Sequence, residues 1–251
     1  MASKAPRFVI KPSLLAILLA FPAQQALAAN CTWNPATGNW ATAGDWNCGL
    51  VPGAADNATI AVGKTVTVNT AQSVLNLSNA GSVNLDAFLL TLAGGGGTTN
   101  TGTINVGAGA IPNNAALQVS GGHNINNTGG VINVSADSVI NQFGSTITGG
   151  TINTTGTGKL VAFNSGGNFL SGVTLNGTLD LASGTGIERV GNGLTLNGTI
   201  NIGNGSAFAP QGNQTIGGTG TINFVDANGS NRFNVEAGNL TLASGITVRG
   251  G

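Results

Sequence analysis

The sequence predicts an all-β chain wound as a right-handed parallel β-helix, a solenoid closed at its N-terminal end by a Trp-rich, disulfide-bonded cap. Three observations carry that prediction. Val173-Thr-Leu-Asn-Gly-Thr-Leu-Asp-Leu181 returns 21 residues later as Leu194-Thr-Leu-Asn-Gly-Thr-Ile-Asn-Ile202, with apolar and polar positions unchanged, and a repeat near 20 residues means stacked coils. Within each copy apolar and polar residues alternate, the period of a strand with one face inside and one outside. The composition fits the same picture: 42 glycines in 251 residues, no tyrosine, 6% charge and 41% apolar residues, so that Asn, Thr, Ser and Gly stand where charge would normally stand. That apolar content is too high for simple disorder.

Taken from the start, Lys4, Arg7 and Lys11 precede the apolar run 14–21, and Ala26-Leu-Ala28 supplies small residues where a signal peptidase cuts. The run is much shorter than the ~20 apolar residues that span a bilayer, so residues 1–29 read as an export signal rather than an anchor. The expected location is secreted or cell-surface. Removing the signal takes away three of the eight basic residues and none of the eight acidic ones, a net charge near −3. Nothing remains to attract nucleic acid or anionic lipid.

Residues 30–60 form the predicted cap. Cys31 and Cys48 are the only cysteines, and two nearby thiols in an exported chain are expected to pair. Closing that loop is worth about 3 kcal/mol on loop entropy. All three tryptophans, Trp33, Trp40 and Trp46, lie inside it. A stack of coils has an open apolar end, and buried indoles would cover it. The sharper alternative is an exposed sugar-stacking platform.

Residues 61–251 read as the β-helix. Strands are predicted at Ala58 to Val62, Thr65 to Val68, Val74 to Leu77, Val83 to Leu85, Phe88 to Leu92, Gly102 to Val106 and Ala115 to Val119, with turns at Pro52-Gly53, at the glycine run 94–97 and at Ile111-Pro112. The glycine run lacks the Gly-Lys-Ser/Thr of a phosphate loop. From Gly129 onward Gly-Val-Ile-Asn133, Gly-Thr-Ile-Asn153, Gly-Thr-Leu-Asp180, Gly-Thr-Ile-Asn201 and Gly-Thr-Ile-Asn223 mark successive coils, and no helical period appears. Counting at 21 to 22 gives inward columns Leu160–Leu181–Ile202–Phe224–Leu242, Leu179–Ile200–Ile222–Leu240 and Ile152–Val173–Leu194–Ile216. Between the first two runs a polar column, Lys159, Asp180, Asn201, Asn223 and Thr241, predicted to face water. Asn-Gly also favours hairpins, but a meander would need a reverse turn at every corner, and the period holds over several copies. About ten coils at ~4.8 Å give a rod on the order of 50 Å long.

Candidate chemistry is sparse. A glycosidase needs two facing carboxylates, and no two of Asp45, Asp56, Asp86, Asp137, Asp180, Glu188, Asp226 and Glu236 are spaced by one coil. Lys159 over Asp180 reads as a surface ion pair. His123, the lone histidine, sits in Gly121-Gly-His-Asn124, a turn by composition, so neither a triad nor a histidine metal site can be assembled. Asp226-Ala-Asn-Gly-Ser-Asn231 reads as a polar turn, its glycine misplaced for a calcium loop. No catalytic residue, metal or cofactor is predicted.

Thr32-Trp-Asn-Pro-Ala-Thr-Gly-Asn-Trp40, Asp45-Trp46, Gly49-Leu-Val-Pro-Gly53, Asp56 and Ile60 resemble the Trp-rich module that opens bacterial autotransporter-like and filamentous haemagglutinin-like surface adhesins, and the repeats after it are similar to their β-helical passengers. The resemblance implies the N-terminal part of a non-catalytic adhesin that meets a host or neighbouring cell surface, glycans included, through its Asn/Thr/Ser face. The alternative is a carbohydrate-active β-helix enzyme, a polysaccharide lyase or glycosidase. An open last rung is also expected to recruit a second copy.

Overall fold

A computed structural model describes residues 27–109, 114–227 and 229–250. The export signal up to residue 26 and the Ile111-Pro112 turn lie outside these residues. The chain is a parallel β-solenoid of about nine turns. Each turn lays one strand on each of three faces: Asn124–Asn126, Val131–Val134 and Val139–Phe143 make one turn, and Thr146–Thr148, Thr151–Thr154 and Lys159–Ala162 make the next, each strand parallel to its predecessor. The third face is a separate sheet of nine strands, from Gln72–Val74 to Thr247–Gly250. The first and second faces join into one sheet of 18 strands because Phe169–Asn176 and Ile187–Leu196 run unbroken round the corner between them.

Alternation produces the core. On the second face Val83, Ile104, Ile132 and Ile152 stack in register and none is exposed; Leu90, Leu117, Ile140, Leu160, Leu179, Ile200 and Ile222 do the same on the third. Each such side chain contributes about 1.5–3 kcal/mol of burial before chain entropy is counted. Asn-Gly bends the chain rather than reversing it: Asn176-Gly177 joins two strands of one turn, and an added Cβ at Gly198 in the next copy would collide with the Gly177 carbonyl oxygen. The only antiparallel contacts between described residues outside named strands are the single bridges Trp33–Trp46 and Phe163–Thr185.

The registers correct several predicted columns. Leu160 pairs with Leu179, 19 residues on, so it belongs to the Leu179–Ile200–Ile222 column and not beneath Leu181. Ile152 stacks on Leu175 rather than Val173, whereas Val173–Leu194–Ile216 stands. Leu240 and Leu242 lie on the second face above Gln214 and Ile216; Val248 completes the third-face column. The physical cause is that turns differ in length at their corners, while backbone pairing is indifferent to a fixed count. Two short helical turns were also missed: a 3-10 turn at Ala43–Asp45 and one α-turn at Leu181–Gly184, the latter capped by the Asp180 carboxylate accepting from the Ser183 N–H at 2.9 Å.

Candidate functional site

The cap closes the lumen. The Trp33 N–H bonds Thr59 O and the Trp40 N–H bonds Thr67 O, which seats the two indoles over the first complete turn. Trp46 packs edge-on against both, at ring-centroid distances of 5.1 and 4.9 Å, and its Nε1 donates to Trp40 O at 2.8 Å. Cys31 and Cys48 are disulfide-bonded. Asp56 accepts from the N–H groups of Ala29 and Gly53 and fastens the cap to the rod. Trp33, Trp40 and Trp46 are 0–1% exposed, so the sugar-platform alternative fails: a fully covered ring has no face to offer a sugar.

The predicted polar column survives in part. Asp180, Asn201 and Asn223 stack in register on the third face, continued by Arg249 rather than by Thr241, which sits above Thr215 on the second face. Val161, not Lys159, is the register partner of Asp180; Lys159 reaches it diagonally, Nζ to Oδ2 at 2.7 Å. Nor does Asp180 face water. It is 8% exposed, enclosed by Lys159 and by Ser183, whose hydroxyl donates to Oδ2 at 2.6 Å. Burial alone would raise the Asp180 pKa, but the hydrogen bonds from Lys159 and Ser183 outweigh it and hold the carboxyl below its ordinary value. A depressed pKa stabilises the fold above the ordinary aspartate range, and that stabilisation is lost as pH falls through the folded value. Lys159→Met is therefore expected to cost about 0.5–1 kcal/mol at neutral pH, the upper part of the surface range because Asp180 is enclosed, with the difference from wild type vanishing in acid melts.

The longest ladder was not anticipated as one. On the second face Asn84, Asn105, Asn133, Asn153, Asn176 and Asn197 stand in one row, and from Asn105 onward each Nδ2 donates to the Oδ1 of the turn before at 2.7 to 2.9 Å. Beside it runs a second outward row, Ser82, Thr103, Val131, Thr151, Thr174 and Thr195. The Gly-Thr-Ile-Asn motif thus serves two faces: Asn133 and Asn153 lie on the second, Asn201 and Asn223 on the third. A shorter ladder is buried at the corner between the first two faces, where Asn79 Nδ2 donates to Asn100 Oδ1 at 2.7 Å and Asn100 Nδ2 to Asn127 Oδ1 at 2.6 Å.

Several of the acids are engaged or enclosed. Glu236 accepts two bonds from Arg189 (2.7 and 2.9 Å) and one from Gln211, and these hold its pKa below the ordinary value. Arg189 also donates to Gly166 O, so one guanidinium ties turns on either side of it. Asp226 accepts from Asn204 N–H and Asn231 Nδ2 at 2.7 and 2.5 Å, as a turn staple does, with donors where a cation would need lone pairs. Asp137 accepts from Thr157 at 2.9 Å. Glu188 is 0% exposed. His123, placed by composition in a turn, directly follows the Gly121-Gly122 turn, is wholly buried and bonds Thr98 Oγ1 through Nε2 at 2.9 Å; burial lowers its pKa against an opposing backbone hydrogen bond at Ala93. Among the described residues no three His, Cys, Asp or Glu side chains converge on a metal position, and no helix is long and apolar enough to cross a membrane. A shallow open depression of about 300 Å³, floored by Leu194 and rimmed by Asn192, Thr195 and Thr215, lies where the first and second faces meet.

No known protein family, curated protein or solved structure matches this chain.

Proposed function

We propose that this chain is an exported, non-catalytic β-helical rod that adheres through the second face to uncharged surface glycans of a host or neighbouring cell, as part of an autotransporter-like or filamentous haemagglutinin-like adhesin. The supporting observation is the surface itself. From Thr65 to Gly217 every outward position of that face is Thr, Ser, Asn, Val or Gly, with no charge. The asparagine amides are held in place by one another, so the neighbouring hydroxyls stand on a rigid array repeating at ~4.8 Å. Such an array can exchange hydrogen bonds with a neutral polysaccharide at little ordering cost.

The enzyme alternative needs two free carboxylates across a groove; the engagement of Asp180, Asp226 and Glu236 and the enclosure of Glu188 weigh against it. Self-association has a matching surface too, since Leu242 and Val248 of the last described turn are exposed, and a concentration series on a sizing column reads it out. The adhesive reading is tested by probing fixed cells and a panel of neutral polysaccharides with wild type and with Thr151→Lys/Thr174→Lys, both outward on adjacent turns. The expected result is binding by wild type and at least a tenfold loss in the variant at unchanged melting temperature. Equal binding by the two would remove the second face as the contact.

A further inference from the structure

Glu188 is a buried acid that the adhesive reading does not use. It lies in the strand Ile187–Leu196 on the first face, one residue before the outward Arg189, and it points into the lumen with no exposure and no hydrogen-bond partner for either carboxylate oxygen. Its register partner in the turn above is Phe208, which pairs in turn with Phe233. Asn168 precedes it in the turn below and has no donor left to offer a carboxylate: its Nδ2 donates to Phe163 O and Ile187 O at 2.8 and 3.3 Å, while its Oδ1 accepts from the Gly144 N–H at 2.7 Å. The charged groups on the adjoining elements face outward. Arg189 is committed to Glu236 and Gly166 O, Arg232 is exposed two turns above, and Lys159 and Asp180 pair on the third face. Nothing inside the rod can solvate a carboxylate here.

Backbone pairing in a solenoid runs only between adjacent turns, so one part of the stack can open while the rest stays folded. Exposing Glu188 requires loosening only the turns from residue 187 onward, which rest on the earlier part of the rod through the pairing of Phe169–Asn176 with Ile187–Leu196. We infer that Glu188 makes the described turns from residue 187 onward a pH-gated segment, folded while its carboxyl is protonated and released as alkalinity favours the charged form, with the turns before it unaffected. Burial raises the Glu188 pKa well above its ordinary value, against a smaller opposing effect of the Arg189 charge. The direction follows from linkage: stability from a raised pKa is fully present below the ordinary glutamate range and is lost as pH rises toward the folded value. Over that interval the opening constant grows about tenfold per pH unit.

The test is amide hydrogen exchange on the full chain from pH 5 to 9, corrected for intrinsic base catalysis, comparing wild type with Glu188→Gln, and with Glu188→Met should the amide variant fold poorly. In wild type, opening of residues 187–250 should rise by about tenfold per pH unit over part of this range, while residues 57–134 stay unchanged. Either variant should flatten that dependence. The inference is overturned if wild type and variant show the same pH dependence, or if opening in wild type rises equally along the whole rod.

Discussion

Trp46→Ala is expected to destabilise the N-terminal end by about 3–5 kcal/mol, the usual cost of emptying a buried indole site. Trp46 is the middle ring of the cap: it contacts Trp33 and Trp40 edge-on, bonds Trp40 O, and bridges back to Trp33 across the loop that Cys31–Cys48 closes. Removing it leaves two indoles without their shared neighbour and opens the lumen over Ile60 and Val68, both wholly buried. The neighbouring turns should then lose protection first, because they inherit the exposed end. Denaturant melts would give the magnitude, and hydrogen exchange at Asn57–Ile60 and Thr65–Val68 the location. Reducing the disulfide should act on the same strands with a cost of about 3 kcal/mol. A Trp46→Ala protein as stable as wild type would mean that the cap does not seal the rod.

The second large effect is expected at Asn100. Asn100→Ala removes the central member of the buried ladder, so that Asn127 Oδ1 loses its donor and Asn79 Nδ2 keeps only Thr103 O at 3.0 Å. Two hydrogen bonds and one orphaned buried acceptor together amount to about 2–4 kcal/mol. Asn153→Ala breaks the same number of amide bonds in the second-face ladder, where water can take the vacated places, and should cost about 0.5–1 kcal/mol. The contrast between the pair tests burial as the main cause, since each variant breaks two amide–amide bonds and Asn100 adds only a long 3.4 Å bond to Val131 O. Equal losses in paired denaturant melts would refute that assignment.

The sequence spoke clearly where side-chain alternation repeats and poorly where corners vary. Val173–Leu194–Ile216 was readable because the intervening corners keep the spacing near 21; Leu160 was misplaced because the next corner is two residues shorter. The cap was legible in its three tryptophans and two cysteines, since bulky aromatics in an otherwise aromatic-poor chain have few places to go except over an open end. The asparagine row takes Asn105 and Asn153 from Gly-Thr-Ile-Asn copies but Asn84, Asn176 and Asn197 from other contexts, so it was invisible as a ladder. One motif serves two faces, and only the fold says which copies adjoin. The interior roles of His123 and Glu188 could not be read locally, because a glycine-rich or charged neighbourhood such as Gly121-Gly-His or Glu-Arg carries a surface signature that the strand's inward phase overrides. Arg189 and Glu236, 47 residues apart, had no shared period to link them.

On the adhesive reading proposed above, the uncharged β-solenoid face binds without turnover. The most direct measurement takes whichever neutral polysaccharide the chain retains and follows, over a long incubation with excess polymer, both the amount bound and the appearance of new reducing or unsaturated ends. Adhesion through this face gives saturable retention, lost in Thr151→Lys/Thr174→Lys, with no new ends above the polymer alone. Ends accumulating beyond one per protein molecule would contradict it and place a catalytic site on the rod.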